Sequence, residues 1–141
     1  MGFRSVVDRY PMLTIADVRS SNISRLQAAQ QAEDMLLSYP KIKYMVGFSA
    51  LDGIGILEAV ERVQPEGVRI FAFDDLAETK EGIRQHKIES TLIQKPYEMG
   101  YDAMSLLNDY FQGKKPMEKH YVPITSLDQQ TVITEYGENV Q

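Results

Sequence analysis

The hydrophobic positions of this chain alternate between two kinds of spacing. Short apolar runs occupy residues 12–17 (MLTIAD), 44–48 (YMVGF), 68–73 (VRIFAF) and 89–94 (ESTLIQ). In the third run Val68, Ile70, Phe71 and Phe73 follow one another almost without polar interruption. That is the mark of a strand buried on both faces. Between the runs, apolar residues recur three and four apart, the period of a helix with one face in a core. Leu26, Ala29, Leu36 and Leu37 predict a helix ending at about Ser38, with Asn22 as its expected N-cap. Ile54, Leu57, Ala59, Val60 and Val63 predict a second over 51–63, and a third is expected over 77–85. The widest stripe belongs to residues 97–112, where Met99, Met104, Leu107 and Phe111 are among seven apolar positions, and core packing is the expectation for it.

Breakers fall where these elements should stop. Tyr39-Pro40, Pro65-Glu66-Gly67, Pro96 and Gly113 each close a periodic segment. Residues 2–10 read as the last turns of a helix, with Phe3, Val6 and Val7 on one face, which suggests that the chain begins inside an element. Two further strands are expected, at 120–125, where Pro123 points to an edge or a crossing, and at 131–134. The final residues are polar. The order β-α-β-α-β-α-β predicts an α/β fold, a doubly wound parallel sheet with helices on both faces.

Composition narrows the function. The 141 residues make about one domain, and 43% hydrophobic with 25% charged residues is ordinary for a globular protein. A net charge of −5 argues against a nucleic-acid surface. No apolar run approaches a membrane span and no stretch reads as a signal peptide. With no cysteine there is neither a disulfide nor a thiolate metal site. His86 falls at a helix end and His120 stands alone before a strand; both read as surface residues without a metal-ligand partner at suitable spacing. No P-loop or G-x-G-x-x-G is present, and no catalytic residue, metal or cofactor is expected. The Asp74-Asp75 pair is like that of a receiver domain, but it follows a late strand where such a pair follows the first.

Two strands end in chemistry. The third run stops at Asp74, and residues 89–94 end in Gln94. Ligands of open α/β sheets bind at the carboxyl ends of strands. A carboxylate accepts and an amide both donates and accepts, which suits the hydroxyls of a sugar. Asp74 reads equally as a helix cap or turn residue, and Gln94 as an exposed strand-end amide. Arg25 lies in the first turn of its helix, where a cation opposes the dipole by a few tenths of a kcal/mol. Ser49 follows the second run and serves either as a ligand contact or as a helix cap.

F-D-D followed about twenty residues later by T-L-I-Q-K-P-Y-E-M-G-Y resembles the type I periplasmic sugar-binding proteins, among them the ribose-binding proteins, and the ligand domains of lactose-repressor-type regulators. G-F-x-S-V-V, L-L-S-Y-P-K-I and G-I-L-E-A-V fall in the same order, so the resemblance spans nearly the whole chain. It implies that Asp74, Gln94 and Arg25 touch sugar. Ser49 stands where the family has asparagine, Ala50 where it often has aspartate, and Ile23 where it has an aromatic that stacks on the sugar ring. A sugar-binding arginine of the family would lie upstream of Met1.

The resemblance also implies an incomplete periplasmic binding protein-like lobe. Residues 1–96 match part of the C-terminal lobe, 97–118 the last helix of the N-terminal lobe, and 119–141 a hinge strand and tail. The expected function is the sugar-binding component of an ABC-type transport or extracytoplasmic sensing system; the alternative is the ligand-sensing domain of a transcription regulator. Expected partners are a small sugar and, for the full-length periplasmic protein, a membrane permease, with no nucleic acid. Unpaired strand edges and an uncovered helix face predict a homodimer for this chain.

Overall fold

The computed structural model describes residues 2–115 and 119–136. Helix α1 (Gly2–Val7) is followed by α2 (Arg25–Ser38), β1 (Tyr44–Val46), α3 (Asp52–Val63), β2 (Arg69–Phe73), α4 (Ala77–Arg84), β3 (Ser90–Ile93), α5 (Pro96–Phe111), β4 (Thr125–Asp128) and α6 (Gln129–Tyr136). The strands form one sheet in the order β1-β2-β3-β4. β1, β2 and β3 run parallel, and β4 pairs antiparallel with β3. The fold is α/β with a mostly parallel sheet, as the alternating pattern predicts.

The pleat sorts the side chains. Met45, Ile70, Ala72, Thr91 and Leu127 lie on one face in register and are all buried. They pack with Leu36 of α2, Ile56 and Ala59 of α3, Ile83 of α4 and Val132 of α6 in one core. The opposite face carries Tyr44, Phe71, Phe73 and Leu92 and is half-open. Two glycines let α3 lie tight against its neighbours. A Cβ on Gly53 would stand 2.6 Å from Ala72 Cβ, and one on Gly55 would stand 2.6 Å from Ala28 Cβ and 2.7 Å from the Arg25 carbonyl. This close approach fixes the start of α2 beside α3, and with it the backbone of Arg25.

Several elements differ from the sequence expectation, each for a physical reason. Residues 12–17 form no strand. A strand needs a neighbour for its N–H and C=O groups, and no strand of the described residues pairs with this segment. Ser24, not Asn22, caps α2, its hydroxyl accepting from Gln27 N–H at 3.3 Å. Asn22 instead sits at φ 51° and donates its amide to the Gln27 side chain at 3.0 Å. The strand expected at 120–125 begins only at Thr125, past Pro123, which has no N–H for a ladder.

Residues 131–134 lie in α6, not in a strand. The β-branched run TVIT has strand propensity, but Asp128 overrides it as a cap. Its carboxylate accepts from Thr131 N–H at 2.9 Å, and its own N–H donates to Thr131 Oγ1 at 2.8 Å. The apolar stripe of α5 does not join this core: no residue of the helix is buried, in line with the uncovered helix face that the resemblance implies for this chain. The last five residues of the polar tail lie outside the described residues.

Candidate functional site

Because β1, β2 and β3 are parallel, their carboxyl ends open on the same edge of the sheet. Asp74 follows β2 directly, and its backbone is held twice by β3. Its N–H donates to the Leu92 carbonyl at 2.8 Å, and its own carbonyl accepts from the buried Thr91 hydroxyl at 2.7 Å. The pair of bonds keeps Asp74 at φ 63°, a left-handed conformation that aspartate tolerates better than most side chains. The carboxylate is thereby turned toward the end of β3, where Gln94 Nε2 donates to Asp74 Oδ1 at 3.3 Å. The two residues singled out at strand ends are thus in direct contact. The neighbouring Asp75 pairs with Lys80 at 3.4 Å.

Ser49 lies past the end of β1, in a loop organised by a carboxylate that the sequence reading did not single out. Asp52 Oδ2 accepts from the N–H of Ser49 at 2.9 Å and of Phe48 at 3.1 Å. Asp52 Oδ1 accepts from the Ser21 hydroxyl at 2.5 Å. One side chain therefore ties the loop before α2 to the loop after β1. The Ser49 hydroxyl is buried and has no hydrogen-bond partner among the described residues, so its donor and acceptor capacity is unspent there. The signal for Asp52 was its place at the first position of α3, where a carboxylate suits the free N–H groups and the dipole.

Arg25 occupies the first turn of α2 as expected, but its guanidinium is engaged. Its Nε donates to Glu58 Oε1 at 2.7 Å, and Nη1 reaches Glu78 at 3.5 Å. Both partners lie far away in sequence, on α3 and α4, and nothing local announces them. These pairs offset the cost of a cation at a helix N-terminus. No hydrogen bond or ion pair joins Arg25 or Ser49 to Asp74 or Gln94; each is held instead through an α3 carboxylate. Ile23 is 71% exposed and sits at φ 58°. A β-branched residue is an outlier there, and such strain collects at ligand-binding segments.

The two histidines are not isolated. His120 Nε2 meets Asp102 at 2.7 Å, tying the segment before β4 to α5, and His86 touches Gln129. A hollow of about 360 Å³ opens between α5 and residues 120–124, and Gln94 reaches its rim. Among the described residues no group of three or more histidine, aspartate or glutamate side chains is placed to hold a metal. No helix among them is long and apolar enough to cross a membrane.

The family model of the periplasmic binding protein domain matches residues 1–115. The chain belongs to that family. The fold is accordingly the type I periplasmic binding fold, and the solved neighbours agree. GanP, a glucose-galactose binding protein from Geobacillus stearothermophilus, matches with a TM-score of 0.87 at 32% identity, over 92% of this chain and 46% of its own. XylFII, in its complex with LytSN, matches with a TM-score of 0.80 at 30% identity, again over 92% of this chain and 46% of that one. The D-apiose import binding protein of Paraburkholderia graminis is 22% identical over 111 residues, which is 79% of this chain and 36% of that protein. The chain spans less than half the length of these relatives.

Proposed function

We propose that this chain supplies the sugar-gripping lobe of a solute-binding protein that serves an ABC-type import system or an extracytoplasmic sensing system. The observation that carries the reading is the contact between Asp74 and Gln94 at the ends of two adjacent parallel strands. A carboxylate and an amide side by side satisfy a sugar hydroxyl as acceptor and donor at once. In this reading the unpartnered Ser49 hydroxyl adds a third contact. Arg25 contributes its guanidinium fork on exchanging Glu58 or Glu78 for neighbouring sugar hydroxyls. Ile23, in place of an aromatic ring, packs against an apolar edge of the sugar and does not stack.

Residues 1–96 act as the partial C-terminal lobe, 97–118 as the last helix of the N-terminal lobe, and 119–141 as hinge strand and tail. The partners are a small sugar and, for a full-length periplasmic protein, a membrane permease. The name of the D-apiose import binding protein favours import over the regulator alternative, and GanP's name supports a sugar as the ligand. XylFII, at 30% identity, was solved with a second protein, which supports a protein partner as well. The chain acts by binding and carries no catalytic step. The test is calorimetric titration of pentoses and hexoses into a version of this protein that includes both lobes. Binding of at least one sugar is expected, and binding of none across the panel would sink the reading.

A further inference from the structure

The buried positions on the core face of the sheet are apolar with one exception. Met45, Ile70, Ala72 and Leu127 lie there, and among them stands Thr91, 1% exposed, in register with Ala72 on one side and Leu127 on the other. Valine has the same branched shape and suits a buried strand position. A hydroxyl in its place is tolerated only when it is hydrogen-bonded. The Thr91 hydroxyl donates to the Asp74 carbonyl at 2.7 Å, so a core position of β3 reaches past the end of β2. That carbonyl selects the conformation of Asp74. The Asp74 N–H also bonds, to the Leu92 carbonyl at 2.8 Å, but it lies before the φ rotation and is compatible with either sign of φ. The carbonyl lies beyond both the φ and the ψ rotations. With φ at 63° and the carbonyl on the Thr91 hydroxyl, the Asp74 side chain leaves toward the end of β3, where Gln94 meets it at 3.3 Å. An ordinary strand conformation would continue β2 and swing the carboxylate away.

We propose that Thr91 is a positioning residue for the sugar site: its buried hydroxyl clamps the Asp74 backbone in the left-handed conformation and so aims the carboxylate at Gln94 and the ligand. The inference rests on the reading that Asp74 and Gln94 grip the sugar. Thr91 acts through Asp74 and does not itself touch the ligand. Left-handed backbone is disfavoured for every residue but glycine, and aspartate only partly escapes the penalty. Glycine would adopt it freely but has no carboxylate to offer. The site needs both the conformation and the carboxylate, so the conformation is held from outside the residue. Without the clamp, Asp74 returns to the strand conformation for part of the time. The fraction of binding-competent molecules falls, and the apparent affinity falls with it.

The experiment compares Thr91→Val, Thr91→Ser and Ile70→Val in a version of the protein with both lobes, by NMR and by calorimetric titration of pentoses and hexoses. A residue at positive φ shows a strong intraresidue NOE between its N–H and Hα protons. Asp74 is expected to show it in the wild type and in Thr91→Ser, which keeps the hydroxyl, and to lose intensity in Thr91→Val. Sugar affinity is expected to fall roughly 5- to 30-fold in Thr91→Val, the factor set by the intrinsic preference against left-handed backbone, and to be retained in Thr91→Ser. Ile70→Val thins the same core and costs stability, but leaves the clamp intact, so both readouts are expected to match the wild type. Thr91→Val that keeps the NOE and the affinity, while Asp74→Ala loses binding, overturns the clamp and leaves the sugar site standing. An affinity loss in Ile70→Val equal to that in Thr91→Val would trace the effect to a softened core and overturns it too. Should the valine variant not fold, Thr91→Ser carries the test, because loss of the NOE or of affinity with the hydroxyl present contradicts the clamp. A wild type that binds no sugar overturns the sugar reading and this role with it.

Discussion

The side-chain amide of Gln94 donates to the carboxylate of Asp74 at 3.3 Å, across the ends of two neighbouring parallel strands. The two residues lie 20 apart in sequence, and the parallel register of β2 and β3 brings them together. The contact is long for a charge-assisted hydrogen bond. The carboxylate's second oxygen has no hydrogen bond from another described residue, so a ligand hydroxyl has an acceptor to use.

In a version of the protein with both lobes, Asp74→Ala is expected to lose most sugar affinity. A hydrogen bond to a charged group contributes about 1.5–3 kcal/mol, which corresponds to roughly 10- to 150-fold in Kd. Calorimetry is the measurement. A change of less than threefold would remove Asp74 from the site.

Asp52 is expected to matter for the site without touching the ligand. Asp52→Ala leaves the N–H groups of Phe48 and Ser49 and the Ser21 hydroxyl without their shared acceptor. The expected loss is about 1–3 kcal/mol of stability, with faster amide exchange at Phe48 and Ser49 than at the buried Ile70. Unchanged exchange at those two amides would show that the loop is held by something else.

What was legible in the sequence was what periodicity controls. The runs at 44–48, 68–73 and 89–94 became β1, β2 and β3, the helical stripe before them became α2, and the stripes between them became α3 and α4. Asp74 and Gln94 were legible because a strand that ends in a polar residue places it at the edge of the sheet. Partnership over long distances was not legible. Residues 12–17 have the composition of a strand but no neighbour to pair with. The partners of Arg25, Glu58 and Glu78, lie 33 and 53 residues away. The TVIT run shows a cap overriding propensity, and a D-x-x-T reading at Asp128 would have caught it. The stripe of α5 was read as core because an apolar face asks to be covered, and the sequence does not say by what.

The cap of α2 separates two readings of one loop. Ser24→Ala removes the side-chain acceptor for Gln27 N–H and is expected to destabilise the chain by about 1 kcal/mol in urea unfolding. Asn22→Ala, at the position first expected to cap, removes no helix cap. It does place alanine at φ 51°, where a left-handed cost of about 1–2 kcal/mol is no longer offset by the local hydrogen bonding of the asparagine side chain. Asn22→Gly avoids that cost and is the fair comparison: it should change stability by less than half as much as Ser24→Ala. An equal loss for Ser24→Ala and Asn22→Gly would contradict the assignment of Ser24 as the cap.

The start of α6 gives a pH dependence whose sign follows from Asp128. Hydrogen bonding from the Thr131 N–H, and then from its hydroxyl, holds the Asp128 carboxyl below its ordinary value of 3.8. The ionised form is therefore favoured more in the folded chain than in the unfolded one. Stability from this group is fully present above the ordinary value and is lost as pH falls through the lower folded value. Asp128→Asn keeps the shape of the side chain and removes the titration. The wild type is expected to exceed this variant in urea midpoint near neutral pH, and the gap is expected to close as pH falls below 3.8. The group is exposed, so solvent screening keeps the gap small. A gap that widens on acidification would mean that the protonated form of Asp128 is the one the fold prefers, which would overturn its assignment as the acceptor that caps α6.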